Sequence, residues 1–292
     1  MRWNFAYDSP HAISDLLQRE GLAMTKKFGQ NFLISKPVRE RIVSLLEPLK
    51  STTVWEVGPG IGSLTALLLE RGAAVTAFEI DHGFCRILRE HAFGEDPNFH
   101  LVEGDALKTL PKAFGQTALP ERVCGNLPYN VGSVVIAKIL EEGYRIPQMV
   151  FTLQKEVVDR LCASPGSKMW SSFSLLAQMD YEVTQSFVIN AGAFFPKPNV
   201  TSSVVHFALR EESLVRDELR PHFLLVIRDL FAQRRKTVKN NLMGGKIGAL
   251  LGKEGVASLL AESNVDPSLR AEALSWSQFL SLSETLSNYQ AT

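Results

Sequence analysis

Cysteine is scarce in this sequence: Cys85, Cys124 and Cys162 are the only three in 292 residues, and they stand far apart. That spacing excludes a disulfide framework and a structural zinc site built on close cysteine pairs. Net charge is absent as well, since 31 Lys and Arg balance 31 Asp and Glu. A polyanionic partner would therefore be held by a local patch and not by a global field. No apolar run reaches the roughly 18 residues needed to span a bilayer. Residues 1–10 are aromatic and polar and lack a signal-peptide core. Repeats and low-complexity tracts are missing too, which excludes a solenoid. A soluble chain in the cytoplasm is the expectation. With 45% hydrophobic and 21% charged residues, the composition is that of an ordinary globular protein. The length allows about two domains at roughly 150 residues each. A chain of this size buries roughly 75% of its unfolded surface and needs no metal or disulfide staple.

The order of patterns predicts an α/β domain followed by helices. Residues 11–24 read as a short helix leading into a basic, aromatic and amide-rich loop, and Pro37 opens a second helix with Ile42, Val43, Leu45 and Leu46 on one face. Strands are then expected at 53–57, 74–80, 100–103, 122–125 and 149–153, with helices at 63–71, 82–90 and 134–142 between them. Alternation of this kind implies a parallel sheet with helices on both faces. Two further β-like runs, 182–189 and 203–209, could form an antiparallel edge. After about residue 212 the pattern is wholly helical, clearest at 223–230, 255–262 and 279–286. The predicted division is residues 1–211, whose first 35 form a helix and a covering loop, and residues 212–292.

Val54-Trp55-Glu56-Val57-Gly58-Pro59-Gly60-Ile61-Gly62 falls at the first strand-to-helix turn. Glycines there permit a tight turn and the close approach of a ligand. The spacing is G-x-G-x-G, and Pro59 removes an amide that a pyrophosphate would want. A nucleoside without phosphates suits the loop better, although a tight turn with no ligand is the plain alternative. Glu79 ends the next strand, 21 positions after Gly58, where an acid can accept both ribose hydroxyl protons. Asp105 ends the strand after that and could accept an adenine amino group, or it could simply cap the following helix. In a doubly wound sheet such strand ends converge on one crevice. The pattern resembles class I S-adenosylmethionine-dependent methyltransferases.

Asn126-Leu127-Pro128-Tyr129 ends the fourth strand, in the same crevice. An exocyclic adenine amine is a poor nucleophile because its lone pair is delocalised into the ring. The Asn126 side chain and a main-chain carbonyl near Leu127 or Pro128 could accept its two N–H donors, favouring a pyramidal nitrogen by position and electrostatics. Pro128 stiffens the turn, and Tyr129 offers a stacking face worth about 1–3 kcal/mol per base. No strong base is required, because the methylated nitrogen loses its proton to water, so the six histidines need no catalytic role. The target base must be unpaired or extruded to be reached. Read in isolation, the tetrapeptide could equally be a β-turn with a packed tyrosine.

Further segments narrow the resemblance. They are Lys26-Lys27-Phe28-Gly29-Gln30-Asn31-Phe32-Leu33, Leu153-Gln154-Lys155-Glu156-Val157-Val158-Asp159-Arg160-Leu161, Phe194-Phe195-Pro196-Lys197-Pro198-Asn199-Val200-Thr201-Ser202-Ser203-Val204-Val205, and Gln233-Arg234-Arg235-Lys236-Thr237. Together with the glycine loop, Glu79, Asp105 and the tetrapeptide, they resemble the ribosomal RNA adenine N6-dimethyltransferase family, its bacterial small-subunit branch above all, across residues 22–243. The resemblance implies a doubly wound, mostly parallel seven-stranded Rossmann-like sheet with a smaller all-helical C-terminal domain that binds RNA. It implies that Asn31, Leu33, Gly58, Glu79, Asp105 and Asn126 contact S-adenosylmethionine, with no metal. Asn126, Leu127, Pro128 and Tyr129 would hold the adenine, and Phe194 would add a second aromatic contact. The family dimethylates two neighbouring adenosines, four methyl groups in all, in a hairpin loop near the 3′ end of 16S rRNA during small-subunit assembly. A monomer is expected. One departure follows the tetrapeptide: Val131-Gly132-Ser133-Val134 lacks the usual Ser/Thr and Pro, and Ser133 is expected to cap the next helix instead.

RNA would be held elsewhere. Residues 221–250 carry Arg228, Arg234, Arg235, Lys236, Lys239 and Lys246 against the single acid Asp229. Arg234, Arg235 and Lys239 fall at helical spacing, so one basic face could track phosphates, or it could be merely a solvated face. Lys26 and Lys27 would add a second basic spot. Phe223 and Phe231 are assigned to the core, the cysteines to apolar packing, and His82 and His91 to the surface. Two rival readings remain in view. One is the related large-subunit methylases, which carry Ile where Leu127 stands. The other is a non-catalytic RNA-binding assembly factor that kept the fold.

Overall fold

The computed structural model describes residues 3–22 and 31–291. The chain divides into two compact units. One comprises the described residues up to Val158 together with Val183–Leu209, and the other comprises Asp159–Glu182 with the residues from Arg210 onward. The sequence division at residue 211 differs in one respect, because 159–182, with its helix Ser172–Gln178, groups with the helical unit.

The first unit begins with α1 (Pro10–Arg19). Pro10 sits in its first turn, and the Ser9 hydroxyl accepts the Ala12 N–H at 3.2 Å, the arrangement expected of a helix start. Its apolar face, Ile13, Leu16 and Leu17, packs with Phe32, Ile61 and Phe84. Next come β1 (Phe32–Leu33), α2 (Lys36–Ser44), β2 (Thr53–Val57), α3 (Thr65–Glu70) and β3 (Ala74–Glu79). The chain continues through α4 (His82–Arg86, prolonged by a π turn over Ile87–Ala92), β4 (Phe99–Glu103), α5 (Ala106–Gln116), β5 (Arg122–Asn126), α6 (Gly132–Glu141) and β6 (Gln148–Gln154). The helix α5 has no counterpart among the helices expected from the sequence, although Asp105, one of whose two readings is a helix cap, does cap it.

The seven-stranded sheet runs β4-β3-β2-β5-β6-β9-β7, where β7 is Tyr181–Ile189 and β9 is Ser202–Leu209. The pairs β2–β3, β3–β4, β2–β5 and β5–β6 are parallel, and β9 lies antiparallel to β6. Val54–Val57 are all buried, as a parallel strand covered on both faces requires. The chain winds outward from β2 to one edge and then returns to β2's other side as β5. The strand order therefore reverses between β2 and β5, which is where an open α/β sheet leaves a crevice at its carboxyl ends. A small ladder pairs β1 with β8 (Phe194–Phe195).

The second unit contains α8 (Ser172–Gln178), α9 (Arg220–Leu230), α10 (Val238–Gly244), α11 (Lys246–Glu262) and α12 (Trp276–Ala291), and α7 (Lys155–Leu161) crosses the division. Gly252 adopts φ 67° inside α11 and kinks it. The unit's core is aromatic. Phe223 stacks on Trp276 at 5.7 Å, Trp170 meets the same indole edge-on at 6.1 Å, and Phe231 stacks on Phe279. No helix among the described residues is long and apolar enough to cross a membrane.

Candidate active site

A cleft opens at the carboxyl ends of β2, β3, β4 and β5, lined by the glycine loop on one side of the reversal point and the tetrapeptide on the other. The loop needs its glycines for conformation: Gly58, Gly60 and Gly62 have φ of 69°, 58° and 85°, values that strain any residue with a Cβ. Only Gly62 is also crowded, since a Cβ there would meet the Phe93 ring at 2.5 Å. The Gly58 N–H donates to the Phe78 carbonyl (2.9 Å), which fastens the loop to β3.

Glu79 is the loop's second fastening. Its Oε2 accepts the Gly60 N–H at 3.0 Å, and its Oε1 accepts those of Ile80 and Asp81 at 2.9 Å each. Three N–H groups thus orient a buried carboxylate that also lines the cleft. Burial raises its pKa and the backbone donors oppose the rise. Of the two alternatives left open by the sequence for Asp105, the helix cap is observed. Its Oδ1 caps α5 by accepting the Leu107 N–H at 3.0 Å, and the residue lines the cleft as well.

Glu56, which sequence reasoning passed over, also lines the cleft. It is 1% exposed, and its Oε2 accepts the Thr65 hydroxyl at 2.5 Å. Burial pushes its pKa up to about 7, against the Thr65 bond and helped by nearby Glu79. The signal was a lone carboxylate inside the apolar run Val54-Trp55-Glu56-Val57, a placement a buried strand tolerates only when the acid is bonded.

The tetrapeptide is held from several directions. The Asn126 amide Nδ2 donates to the Asn31 carbonyl at 2.9 Å, which leaves Oδ1 on the opposite side. The Leu127 N–H donates to the Thr152 carbonyl at 3.2 Å, while the Pro128 carbonyl accepts from both Val131 (3.1 Å) and Gly132 (2.9 Å). Of the two carbonyls the sequence left open, Pro128's is therefore engaged. Tyr129 is half-buried, lines the cleft, and bonds through its hydroxyl to Ser202. Helix α6 opens at Gly132 with Val131 as an unbonded cap, so Ser133 does not cap it. A Cβ on Gly132 would lie 2.6 Å from Leu153 and 3.1 Å from Leu127, so the position is closed to a larger side chain.

Asn31 and Leu33 line the cleft beside these groups. Phe194 does not. It is 2% exposed, pairs with Leu33 in the β1–β8 ladder, and packs among Leu33, Ile42 and Val204. Its neighbour Phe195 turns the other way, toward the cluster around Phe32, as strand alternation requires. The basic cluster also departs from expectation. Arg234, Arg235 and Lys236 lie in the turn between α9 and α10, and only Lys239 is helical. All four are exposed. Arg234 donates to the Lys168 carbonyl and pairs with Glu272 at 3.3 Å. The sole acid of the segment, Asp229, is buried and accepts the Ile247 N–H at 2.8 Å, so what the segment shows to solvent is positive. Lys26 and Lys27, with the loop around them, lie outside the described residues.

The strand order and the cleft at its reversal point define a class I methyltransferase fold, and solved structures agree. A dimethyladenosine transferase from Plasmodium falciparum superposes with a TM-score of 0.71 at 22% identity, covering 85% of this chain and 94% of that one. The 23S rRNA methyltransferase ErmE gives 0.63 at 23% identity, covering 87% and 99%. Residues 21–288 match the family model described as "Ribosomal RNA adenine dimethylase". Two relatives named "Ribosomal RNA small subunit methyltransferase A" are similar over nearly the whole chain. The protein from Treponema denticola is 42% identical over 96% of this chain and 95% of its own, and that from Lactococcus lactis is 38% identical over 93% of each. The chain belongs to the ribosomal RNA adenine dimethylase family.

Proposed function

We propose that this chain is an S-adenosylmethionine-dependent adenine N6-dimethyltransferase of small-subunit ribosomal RNA. Its action would deliver four methyl groups to two adjacent adenosines in the 3′-terminal hairpin loop of 16S rRNA. The observation that carries the reading is the pinned Asn126 amide, whose oxygen has no partner among the described residues, in one cleft with the glycine loop, Glu79 and Asp105. The small-subunit names of the relatives at 42% and 38% identity support the choice of substrate.

The donor set suits the cofactor. Positive-φ glycines clear a wall for a nucleoside, Glu79 is oriented to accept ribose hydroxyls, and Asp105 keeps Oδ2 for an amino group. Asn31 and Leu33 complete that wall. When bound, the cofactor supplies a methyl group on an electrophilic sulfonium. The protein's part is to hold and orient the target amine. Asn126 Oδ1 takes one N–H of the adenine. Because the Pro128 carbonyl is engaged by Val131 and Gly132, we assign the second N–H to the Leu127 carbonyl. Two acceptors on one nitrogen favour a pyramidal geometry with the lone pair out of the ring plane, an effect of position and electrostatics. The proton leaves to water, so no side chain need titrate.

RNA outside the flipped base would be held by Arg235, Lys236, Lys239 and Arg234 on the helical unit through phosphate contacts. The test is to incubate the pure protein with radiolabelled S-adenosylmethionine and unmodified small subunits, with unmodified large-subunit RNA as a competing substrate, then map the labelled nucleosides. Doubly methylated adenosine at two adjacent positions supports the reading. Label confined to large-subunit RNA, or binding without label, overturns it in favour of one of the rivals.

A further inference from the structure

Ser202 and Ser203 open β9, and both are fully buried where the strand continues into Val204 and Val205. A buried hydroxyl left unpaired costs about 1–3 kcal/mol, so each requires a partner. Ser203 serves the sheet: its hydroxyl donates to the Phe187 carbonyl at 2.9 Å and accepts from the Gln185 amide at 2.8 Å. Ser202 serves something else. Its hydroxyl bonds to the phenol oxygen of Tyr129, 73 residues earlier, and among the described residues neither hydroxyl has another side-chain partner. Register explains the meeting. Ser202 stands opposite Gln154 in the β6–β9 ladder, and Leu127 is tied to Thr152 on the same strand.

A tyrosine ring hangs from its Cβ and can tilt about two bonds. A second hold at the far end of the ring removes that freedom. We propose that Ser202 is a positioning residue for methyl transfer: it anchors the Tyr129 hydroxyl and so fixes the tilt of the ring against the target adenine. The proposal rests on the reading that Tyr129 stacks on that base. It carries a consequence for the order of chemistry. Before the first transfer the amine offers two N–H groups to two carbonyl acceptors. Afterwards one N–H remains, one acceptor is idle, and the base is held more by stacking than by hydrogen bonds. Loss of the Ser202 anchor therefore slows the second transfer to an adenosine more than the first.

The test uses the full chain with unmodified small subunits and labelled S-adenosylmethionine. Compared with the parent are Ser202→Ala, Tyr129→Phe, the double variant, and Tyr129→Ala, each followed for rate, for the ratio of monomethyl to dimethyl adenosine, for cofactor affinity and for melting temperature. Ser202→Ala and Tyr129→Phe should each accumulate monomethyladenosine, with the second step slowed roughly tenfold and cofactor affinity unchanged. The double variant should be no worse than either single one. Parent-like dimethylation by Ser202→Ala, or multiplied losses in the double variant, overturns the anchor while Tyr129→Ala remains defective. Full turnover by Tyr129→Ala overturns the stacking role and the anchor together.

Discussion

The cleft of the α/β unit and the basic turn of the helical unit solve different problems with different degrees of order. In the cleft every polar side chain to which the proposed chemistry assigns a role is held by a partner: Glu79 by three N–H groups, Asp105 by its capping bond, Asn126 by the Asn31 carbonyl, Tyr129 by Ser202. In the turn and at the start of α10, Arg235, Lys236 and Lys239 are exposed, and of the four basic residues Arg234 is the one with an ion pair among the described residues. The contrast follows from what each is proposed to bind. Orienting a lone pair requires fixed dipoles within a few tenths of an ångström. Attracting a phosphate backbone requires only positive charge that can follow it.

The comparison breaks most sharply at Asn126. Asn126→Ala should cost at least about 10²–10³-fold in kcat while leaving binding to small-subunit precursor particles intact, measured by single-turnover methylation beside a pull-down of the particles. Near-normal turnover would remove the tetrapeptide from the chemistry. Glu79→Ala comes next. Calorimetry should show cofactor binding weakened more than tenfold, about 1.4 kcal/mol, and an unchanged Kd would remove Glu79 from the site.

The basic turn should answer more gently. Arg235→Ala or Lys236→Ala should each weaken RNA binding a few-fold and lower the slope of log K against log salt by about one, with kcat at saturating RNA preserved. Arg234→Ala should move that slope less, because its guanidinium is already shared with Glu272 and the Lys168 carbonyl. Equal slopes for all three would mean that the ion pair opens on RNA.

The remaining effect is on stability and concerns Glu56. Its carboxyl holds a proton up to about pH 7 in the folded chain, well above the range of an exposed glutamate. Between those values the native state binds more protons than the unfolded one, so its contribution to stability is complete at low pH and is lost as the pH rises through 7. Urea unfolding at pH 5 and pH 7.5 should show that loss in the parent and less of it in Glu56→Gln. Identical pH dependence in the two would show that Glu56 ionises freely.

Most of the sheet was legible because its strands are continuous apolar runs separated by helical periods, and β2 is found at 53–57 as expected. The helix α5 was not, since Pro111 interrupts its pattern and Asp105 reads equally as an end or a cap. The basic residues were misplaced for a related reason. Helical spacing in a list of arginines carries no information about the Thr237 cap that starts α10 only afterwards. Phe194 was assigned to the cleft by resemblance, but its pairing with Leu33 turns the ring into the core. Local letters do not reveal which of two adjacent aromatics in a short strand faces inward.

Composition, periodicity and motif order determined by themselves that this chain forms a doubly wound sheet whose strand ends carry glycines, acids and an Asn-Leu-Pro-Tyr turn. These properties are local, and each residue advertises them through its own backbone preference and polarity. Tertiary structure alone decided which atoms remain open: that Asn31 takes the amide nitrogen of Asn126, that Pro128's carbonyl is engaged, and that Ser202 meets Tyr129. Hydrogen bonds between residues 73 or 95 positions apart exist only after strands have paired in register, and no shorter stretch of chain can encode them.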